Sequence, residues 1–310
     1  MIRYLENEHI NKEKWDACLE HSVNSRIYAY SWYLDMVHPE WSALIMDDYQ
    51  AVFPIASRKK MGIQYAFQPI FTQQHGLFTP LLLTHQLLDS FLKKLISLFP
   101  LIQINLNSYN RTQQYQNLIK QQVNHELDMI GSHAELKKNY SKNLKRNLKK
   151  AQKNQLSIFK NIQPNTVITL FKENKGKKLK AFSENDYQTL NRLIYKAIKK
   201  NKAEIWGVFT PENNLCAGAI FVHNHGRFTF LFSATNQEAR DYGAMPYLID
   251  SFIEAHATTK SILDFEGSKD PNLARFYKSF GSTVVQYPYF FHNHLPLHLS
   301  FVWKLKQWIN

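Results

Sequence analysis

The residues best suited to chemistry are concentrated in one stretch, Leu263–Gly281, which reads LDFEGSKDPNLARFYKSFG. Asp264 and Glu266 alternate there with Leu263 and Phe265, so a strand would point both carboxylates to one side. Two carboxylates on one face perturb each other's pKa, and one of them can then act as a general base. A solvated acidic strand face, or an acid that caps the next helix, would explain the same pattern without catalysis.

Tyr277 is the second candidate catalytic group, on a helix predicted from about Pro271 to Phe280. A phenol has an ordinary pKa of about 10, which suits it to protonating a leaving group. The alternative interpretation is a core aromatic residue that packs beside Phe276 and Phe280.

A possible anion-binding turn follows the strand predicted over Phe228–Phe232, in the sequence SATNQEARDYGAMPYL. Arg240 and Gly243 lie just before a predicted helix, and the free N–H groups and dipole of a helix N-terminus favour anions. Pro246 removes one of these donors. A glycine that only reverses the chain explains the turn equally well.

The net positive charge of the chain comes from one segment. The 310-residue chain has a formal charge of +13, but residues 131–202 alone carry +15 and each flanking region carries −1. A helix predicted to carry Leu136 to Ala151 on its inner stripe turns cationic side chains outward, among them Lys142, Lys145, Arg146, Lys149 and Lys150. This face predicts contact with a polyanion, such as a tRNA acceptor arm, the phosphates of coenzyme A or an anionic lipid, unless it is merely solvated. No DNA- or RNA-binding module is recognisable, so DNA binding is not predicted.

The elements that must position these groups occur twice in a similar order: helices, a strand meander, a helix and a further strand. This order predicts two α/β domains with mixed sheets flanked by helices. We expect one domain over residues 1–128 and another over 129–294. The apolar segment 295–310 is expected to pack across their junction.

Several classes of protein are excluded or disfavoured. The two cysteines, Cys18 and Cys216, form no CxxC pair, and no uncharged apolar run reaches the ~18 residues of a membrane span. Together with the lack of a signal sequence, this predicts a cytoplasmic protein with no transmembrane segment, although peripheral membrane contact stays open. The paired histidines at 223/225 and 292/294 lack a third ligand at a diagnostic spacing, so no metal site and no permanently bound cofactor are expected.

The block from Asn272 to Gly281 resembles the late helix of GNAT-fold N-acyltransferases, in which Asn, Ala and Tyr recur at the spacing of Asn272, Ala274 and Tyr277. The resemblance implies that Tyr277 protonates the leaving thiolate of an acyl carrier and that Asp264 or Glu266 is the base. It also implies donor-binding roles for a further set of residues: Ser233, Arg240, Gly243, Ala244 and Asn272. The family's [Q/R]-x-x-G-x-[G/A] loop is matched only in part, by Arg240 and Gly243.

Nearly the whole chain is similar to the FemABX-like branch, in which one chain contains two GNAT-like domains. The similarity rests on the basic opening of the second domain, the run from Phe232 to Asp241 and the DFEGS-to-FYKSFG block. It implies transfer of an acyl or aminoacyl group to an amine, with acyl-CoA or aminoacyl-tRNA as the donor. The alternative is a GNAT-like protein without catalytic activity that binds RNA or another polyanion through its basic helix.

Overall fold

The computed structural model describes residues 1–60, 62–177 and 182–296. The chain divides into two compact units, and each is considered by itself. The first unit comprises Met1–Gln122 and the described residues from Gln286 onward, and the second comprises Val123–Val285. The segment predicted to pack across the domain junction lies, apart from its first two residues, outside the described residues.

The first unit is a mixed sheet with helices. Its helices are α1 (Lys12–Glu20), α2 (Ser31–Val37) and α3 (His85–Leu98). Its strands are β1 (Ile2–Glu6), β2 (Ser42–Met46), β3 (Ala51–Lys60), β4 (Ile63–Phe67) and β5 (Leu101–Asn105), with β12 (Thr283–Asn293) returning from the end of the chain. The strands pair in the order β1-β2-β3-β4-β5-β12, and only β4 and β5 are parallel. The apolar stripe of α3, which Thr84 caps, supplies much of the core: Leu88, Phe91, Leu92 and Leu95.

The second unit repeats this plan. Its strands are β6 (Ile119–Asp128), β7 (Ser157–Lys160), β8 (Ala203–Phe209), β9 (Leu215–Asn224), β10 (Arg227–Thr235) and β11 (Ile262–Asp264). Its helices are α4 (His133–Lys138), α5 (Lys142–Lys153), α6 (Pro164–Phe171), α7 (Glu184–Lys199), α8 (Gln237–Tyr242), α9 (Ala244–His256) and α10 (Pro271–Lys278). The strand order is β6-β11-β10-β9-β8-β7, and β10 and β11 are the parallel pair.

Helices cover both faces of the second sheet. A Cβ on Gly218 of β9 would meet Val167 of α6, whereas Ala217 and Ala219 belong to the core that α9 covers. Successive residues of a strand point to opposite faces, so α6 and α9 lie on opposite sides of the sheet. The mixed α/β class predicted from the sequence is therefore confirmed.

The units divide at 122/123 and 285/286, whereas the sequence analysis placed the boundaries at 128/129 and 294/295. Both divisions fall inside a continuous strand, β6 and β12 respectively. No turn or change in composition marks a boundary inside a strand, so the sequence pattern could not locate it.

The basic segment forms two helices instead of the single long helix that was predicted. Helix α4 ends before Asn139, and Ser141 begins α5 by accepting a hydrogen bond from the backbone N–H of Leu144 at 3.1 Å. The apolar stripe continues across this break, because Tyr140 and Leu144 are both buried. Periodicity alone therefore concealed the new N-cap.

Candidate active site

The parallel strands β10 and β11 pair over only three residues each. Arg227–Thr229 pairs with Ile262–Asp264, after which β11 ends and β10 continues to Thr235. The register of β10 against β9 shifts between Phe230 and Phe232, which marks a β-bulge of the kind common beside active sites. A crevice at the carboxyl ends of parallel strands is a usual ligand position in α/β folds.

A cavity of about 380 Å³ lies at this point, between the end of β10 and helices α5, α8, α9 and α10. Its wall is largely apolar and aromatic, and includes Phe171, Phe230, Met245, Pro246, Leu273, Phe276 and Tyr277. Lys175 and Arg240 add two cations, and no acidic side chain lines the cavity among the described residues. We call this space the donor cavity; it suits a ligand with an apolar body and an anionic group.

Tyr277 is the buried residue of α10 and lies in the wall of the donor cavity. Its ring stacks on Phe265 at 4.8 Å between centroids and 20° between planes. Burial raises the pKa of Tyr277, and the nearby carboxylates of Glu266 and Asp270 raise it further. The phenol therefore keeps its proton at neutral pH and can donate it.

Glu266 lies beside Tyr277, although it is not part of the cavity wall. The charge of Glu266 acts directly on the pKa of Tyr277, and the Cβ position of Gly267 is 3.6 Å from the Tyr277 Oη. The residue is half-buried, and burial raises the pKa of its carboxyl to about 8. A carboxyl that titrates near neutral pH is suited to accept and return a proton.

Asp264 has a different environment and does not alternate with Glu266 as predicted. The strand ends at Asp264, and Glu266 has a φ of 50°, so the period-two pattern stops between them. The Asp264 carboxylate is fully buried; it accepts hydrogen bonds from Asn124 Nδ2 at 2.7 Å and Arg227 Nη1 at 3.0 Å. Arg227 also pairs with Glu126 at 2.8 Å, so these charges form one buried network.

Three of the five predicted donor-binding residues, Arg240, Gly243 and Ala244, lie at or beside the turn between α8 and α9. Ser233, Arg240 and Gly243 line the donor cavity, whereas Ala244 is completely buried in the core. Gly243 has a φ of 74°, and a Cβ there would lie 2.6 Å from the backbone oxygen of Asn147. Glycine is therefore required both for the left-handed conformation and for the close approach of α5.

Asn272 lies in the first turn of α10 and lines a second cavity of about 550 Å³ between α5 and α10. This space adjoins the donor cavity, because Asn147 and Phe276 line both. Arg275 and Lys278 provide its charge, and Arg275 Nη2 donates to the Asn272 side-chain oxygen at 2.9 Å. Asn272 thus lies beside the donor cavity and not in its wall.

The basic face predicted for α5 is solvent-exposed. Leu144, Leu148 and Ala151 are buried, and the outward residues are Lys142, Lys145, Arg146, Lys149, Lys150 and Lys153. Within the described ranges, none of these six forms an ion pair with an acidic side chain. Asn147 of the same helix lines the donor cavity, whereas none of these six cationic side chains does.

Sequence reasoning missed several residues of the site. Lys175 reaches the donor cavity from a π-helical turn, Lys172–Gly176, which no local pattern predicted. Arg227 of β10 pairs with Asp264 of β11. A lone arginine in a strand sequence does not indicate such a contact. Phe276 was within the recognised block, but only as a core residue.

His75 is not among the residues that line the donor cavity. His75 is buried in the first unit; burial lowers its pKa to about 3, and its backbone forms hydrogen bonds with Asn105 and Asn107.

Among the described residues, no group of His, Cys, Asp and Glu side chains could hold a metal ion. In the same residues, no helix combines the length and apolar character needed to cross a membrane.

The fold is similar to solved structures over nearly the whole chain. FemX is 13% identical, with 93% of this chain and 97% of FemX covered and a TM-score of 0.66. The C-terminal domain of a putative lysylphosphatidylglycerol synthetase from Agrobacterium fabrum is 10% identical, with 92% of each chain covered and a TM-score of 0.57. L-PGS from Bacillus licheniformis is 10% identical, with 94% of each chain covered and a TM-score of 0.56.

No protein-family model matches the sequence, and no curated protein is significantly similar to it. At these identities the solved structures establish the fold. The chain has the fold of FemX and of the lysylphosphatidylglycerol synthetase domain.

Proposed function

We propose that the protein is an acyltransferase that moves an acyl or aminoacyl group from an activated carrier to an amine, in the donor cavity of the second unit. The observation that carries the proposal is the pairing of Tyr277, in the cavity wall, with Glu266, whose pKa is about 8. An acid and a base with displaced pKa values beside one cavity are typical of proton-transfer catalysis.

In the proposed step the amine attacks the carbonyl carbon of the donor, a C–N bond forms, and the bond to the carrier oxygen or sulfur breaks. Glu266 accepts the proton that the amine loses, directly or through water, and Tyr277 donates its phenolic proton to the leaving atom. After transfer, the proton passes from Glu266 back to Tyr277, directly or through water, and restores both groups.

Asp264 is assigned a structural role. Its carboxylate already accepts hydrogen bonds from Arg227, Asn124 and the backbone N–H of Glu266 within a buried network. Breaking a buried ion pair to use one partner as a base would leave an uncompensated charge, which is strongly unfavourable. Of the two carboxylates considered from the sequence, Glu266 is the proposed base.

Aminoacyl-tRNA is the donor we favour over acyl-CoA. Helix α5 has twelve residues, so its cationic face extends about 18 Å, which exceeds what one pyrophosphate would occupy. Its exposed face has no large apolar side chain, which disfavours insertion into a lipid surface. The name lysylphosphatidylglycerol synthetase describes an enzyme whose product carries a lysyl group, which fits aminoacyl transfer in this fold.

A second candidate function, polyanion binding without catalysis, is favoured by the turn before α9. Ala244 is buried and Pro246 has no N–H, so few backbone donors at this helix N-terminus can reach a phosphate. The two functions share the basic face of α5 and differ in the need for Tyr277.

The test is binding of aminoacyl-tRNA and of acetyl-CoA at two salt concentrations. We expect tRNA to bind with a steep loss of affinity at the higher salt, because several phosphates release their counterions. The double variant Lys145→Glu, Arg146→Glu should lose at least about tenfold in tRNA affinity, since it reverses two of the phosphate-facing charges. The matched control Lys93→Glu, Lys94→Glu on α3 makes the same change in net charge and should bind as the parent protein does. Equal binding by both double variants would exclude α5 as the contact.

A further inference from the structure

The loop between β11 and α10 has an unusual backbone. Glu266 has a φ of 50° and Gly267 a φ of 62°, so two successive residues are left-handed. Glycine adopts this conformation freely, but for glutamate it is unfavourable unless surrounding contacts impose it. Something outside the loop must therefore hold Glu266 in place.

His125 of β6 holds this loop at two points. Its carbonyl oxygen accepts a hydrogen bond from the Phe265 N–H at 3.0 Å, and its Nδ1 lies 3.0 Å from the Ser268 hydroxyl. The Ser268 hydroxyl is in turn 3.3 Å from the carbonyl oxygen of Glu266. His125 and Ser268 are 4% and 3% exposed, so water does not readily replace these contacts.

The direction of these hydrogen bonds follows from the single hydroxyl proton of Ser268. When Ser268 donates to the Glu266 carbonyl, His125 must donate its Nδ1–H to the serine oxygen. Burial, with help from the charge of Lys278, lowers the pKa of His125, so the ring is neutral at pH 7. The Nδ1–H tautomer then satisfies all three groups.

Building on the proposed role of Glu266, we propose that His125 and Ser268 are positioning residues. The hydrogen bonds from His125 Nδ1–H to the Ser268 oxygen, and from the Ser268 hydroxyl to the Glu266 carbonyl oxygen, fix the left-handed conformation of Glu266 and thereby direct its side chain. The other ionisable groups around this loop are Asp264, which accepts the Glu266 N–H at 3.2 Å, Lys269, whose pKa is lowered by burial, Asp270, which acts on Tyr277, and Lys278, which acts on His125.

The test is an NMR titration of the Glu266 side-chain carboxyl, assigned with Glu266→Gln, in the full-length protein. Ser268→Ala and His125→Leu each remove one of these hydrogen bonds. Water should then reach the Glu266 carboxyl, and its titration midpoint should fall from about 8 by about one pH unit or more. His125→Asn places an amide donor near the position of Nδ1 and should retain the high midpoint. Ser261→Ala is the matched control, because Ser261 is 5% exposed and bonds to Thr259 before β11.

A Glu266 midpoint unchanged in both Ser268→Ala and His125→Leu would overturn the proposal, as would an equal fall in Ser261→Ala. The two disruptive variants act at different residues, so one that fails to fold leaves the other to decide. The titration needs no donor or acceptor. A parent protein that transfers no acyl group would therefore count against the proposed function and not against this positioning role.

Discussion

Two side chains, Glu266 and Tyr277, have unusual acid–base properties because the fold removes both from water. Burial disfavours the charged form of each, so both pKa values rise, and their proximity increases the effect on Tyr277. Raising the pKa makes the carboxyl a stronger base near neutral pH and keeps the phenol protonated. The proposed chemistry therefore depends on the surroundings of Glu266 and Tyr277 more than on their residue types.

Tyr277→Phe tests the phenol. Phenylalanine keeps the stacking on Phe265, so the variant should fold normally, while loss of the proton donor should lower the transfer rate by roughly 100-fold or more. Single-turnover transfer measured with saturating donor separates this loss from weaker binding. Tyr140→Phe, which also removes a buried hydroxyl in the second unit, should transfer at the parent rate. A Tyr277→Phe variant with full activity would remove the phenol from the mechanism.

The transfer rate should depend on the ionisation of Glu266. A base acts only when deprotonated, so the rate should increase about tenfold per pH unit below a midpoint of about 8 and level off above it. In Glu266→Gln this limb of the pH–rate profile should disappear along with most of the activity. A profile that is identical in the two proteins would show that another group accepts the proton.

The sequence pointed to Tyr277, Glu266 and Asp264 as candidates but not to what distinguishes Glu266 from Asp264. Alternation predicted that the two carboxylates lie together, whereas the strand ends at Asp264, and Asp264 pairs with Arg227. That pairing joins residues 37 positions apart, and local pattern contains no information on such contacts. The His125–Ser268 contact, across 143 positions, was invisible for the same reason.

Among the elements, the turn from α8 into α9 determines how closely α5 approaches the donor cavity. Gly243→Ala should destabilise the protein by about 1–3 kcal/mol, because it strains a φ of 74° and places a Cβ 2.6 Å from the Asn147 oxygen. Chemical denaturation measures the loss. Gly62→Ala provides the control, since Gly62 has a similar φ of 79° with no atom within 4 Å, and should cost only the conformational part. Equal losses would show that packing against α5 contributes nothing.

Helix starts can be predicted from local sequence, because Asn, Thr and Ser are favoured N-cap residues. Asn11, Thr84 and Ser183 each accept a hydrogen bond from the first turn of a helix, and Asp186 completes the capping box at Ser183. An N-cap involves residues about three positions apart, so it can be recognised from the local sequence. The π-helical turn that brings Lys175 to the cavity depends on tertiary packing and could not be predicted this way.

For the whole molecule, repetition of element order correctly indicated two similar α/β units, whereas their boundaries lie within β6 and β12. The net charge of +13 likewise concealed a local feature, since residues 131–202 alone carry +15. Helix α5 carries part of that charge on its exposed face and lines the donor cavity through Asn147. In the proposed function this exposed face contacts the donor.

The central claim is that the donor cavity binds the aminoacyl end of the carrier. The most direct measurement is the affinity for a short RNA ending in a hydrolysis-resistant 3′-aminoacyl-amide, compared between the parent protein and Leu273→Trp, which fills the cavity from α10. We expect the parent to bind the aminoacylated RNA more tightly than the same RNA without the aminoacyl group, and Leu273→Trp to lose this difference at unchanged Tm. Equal preference for the aminoacylated RNA in both proteins would contradict the account.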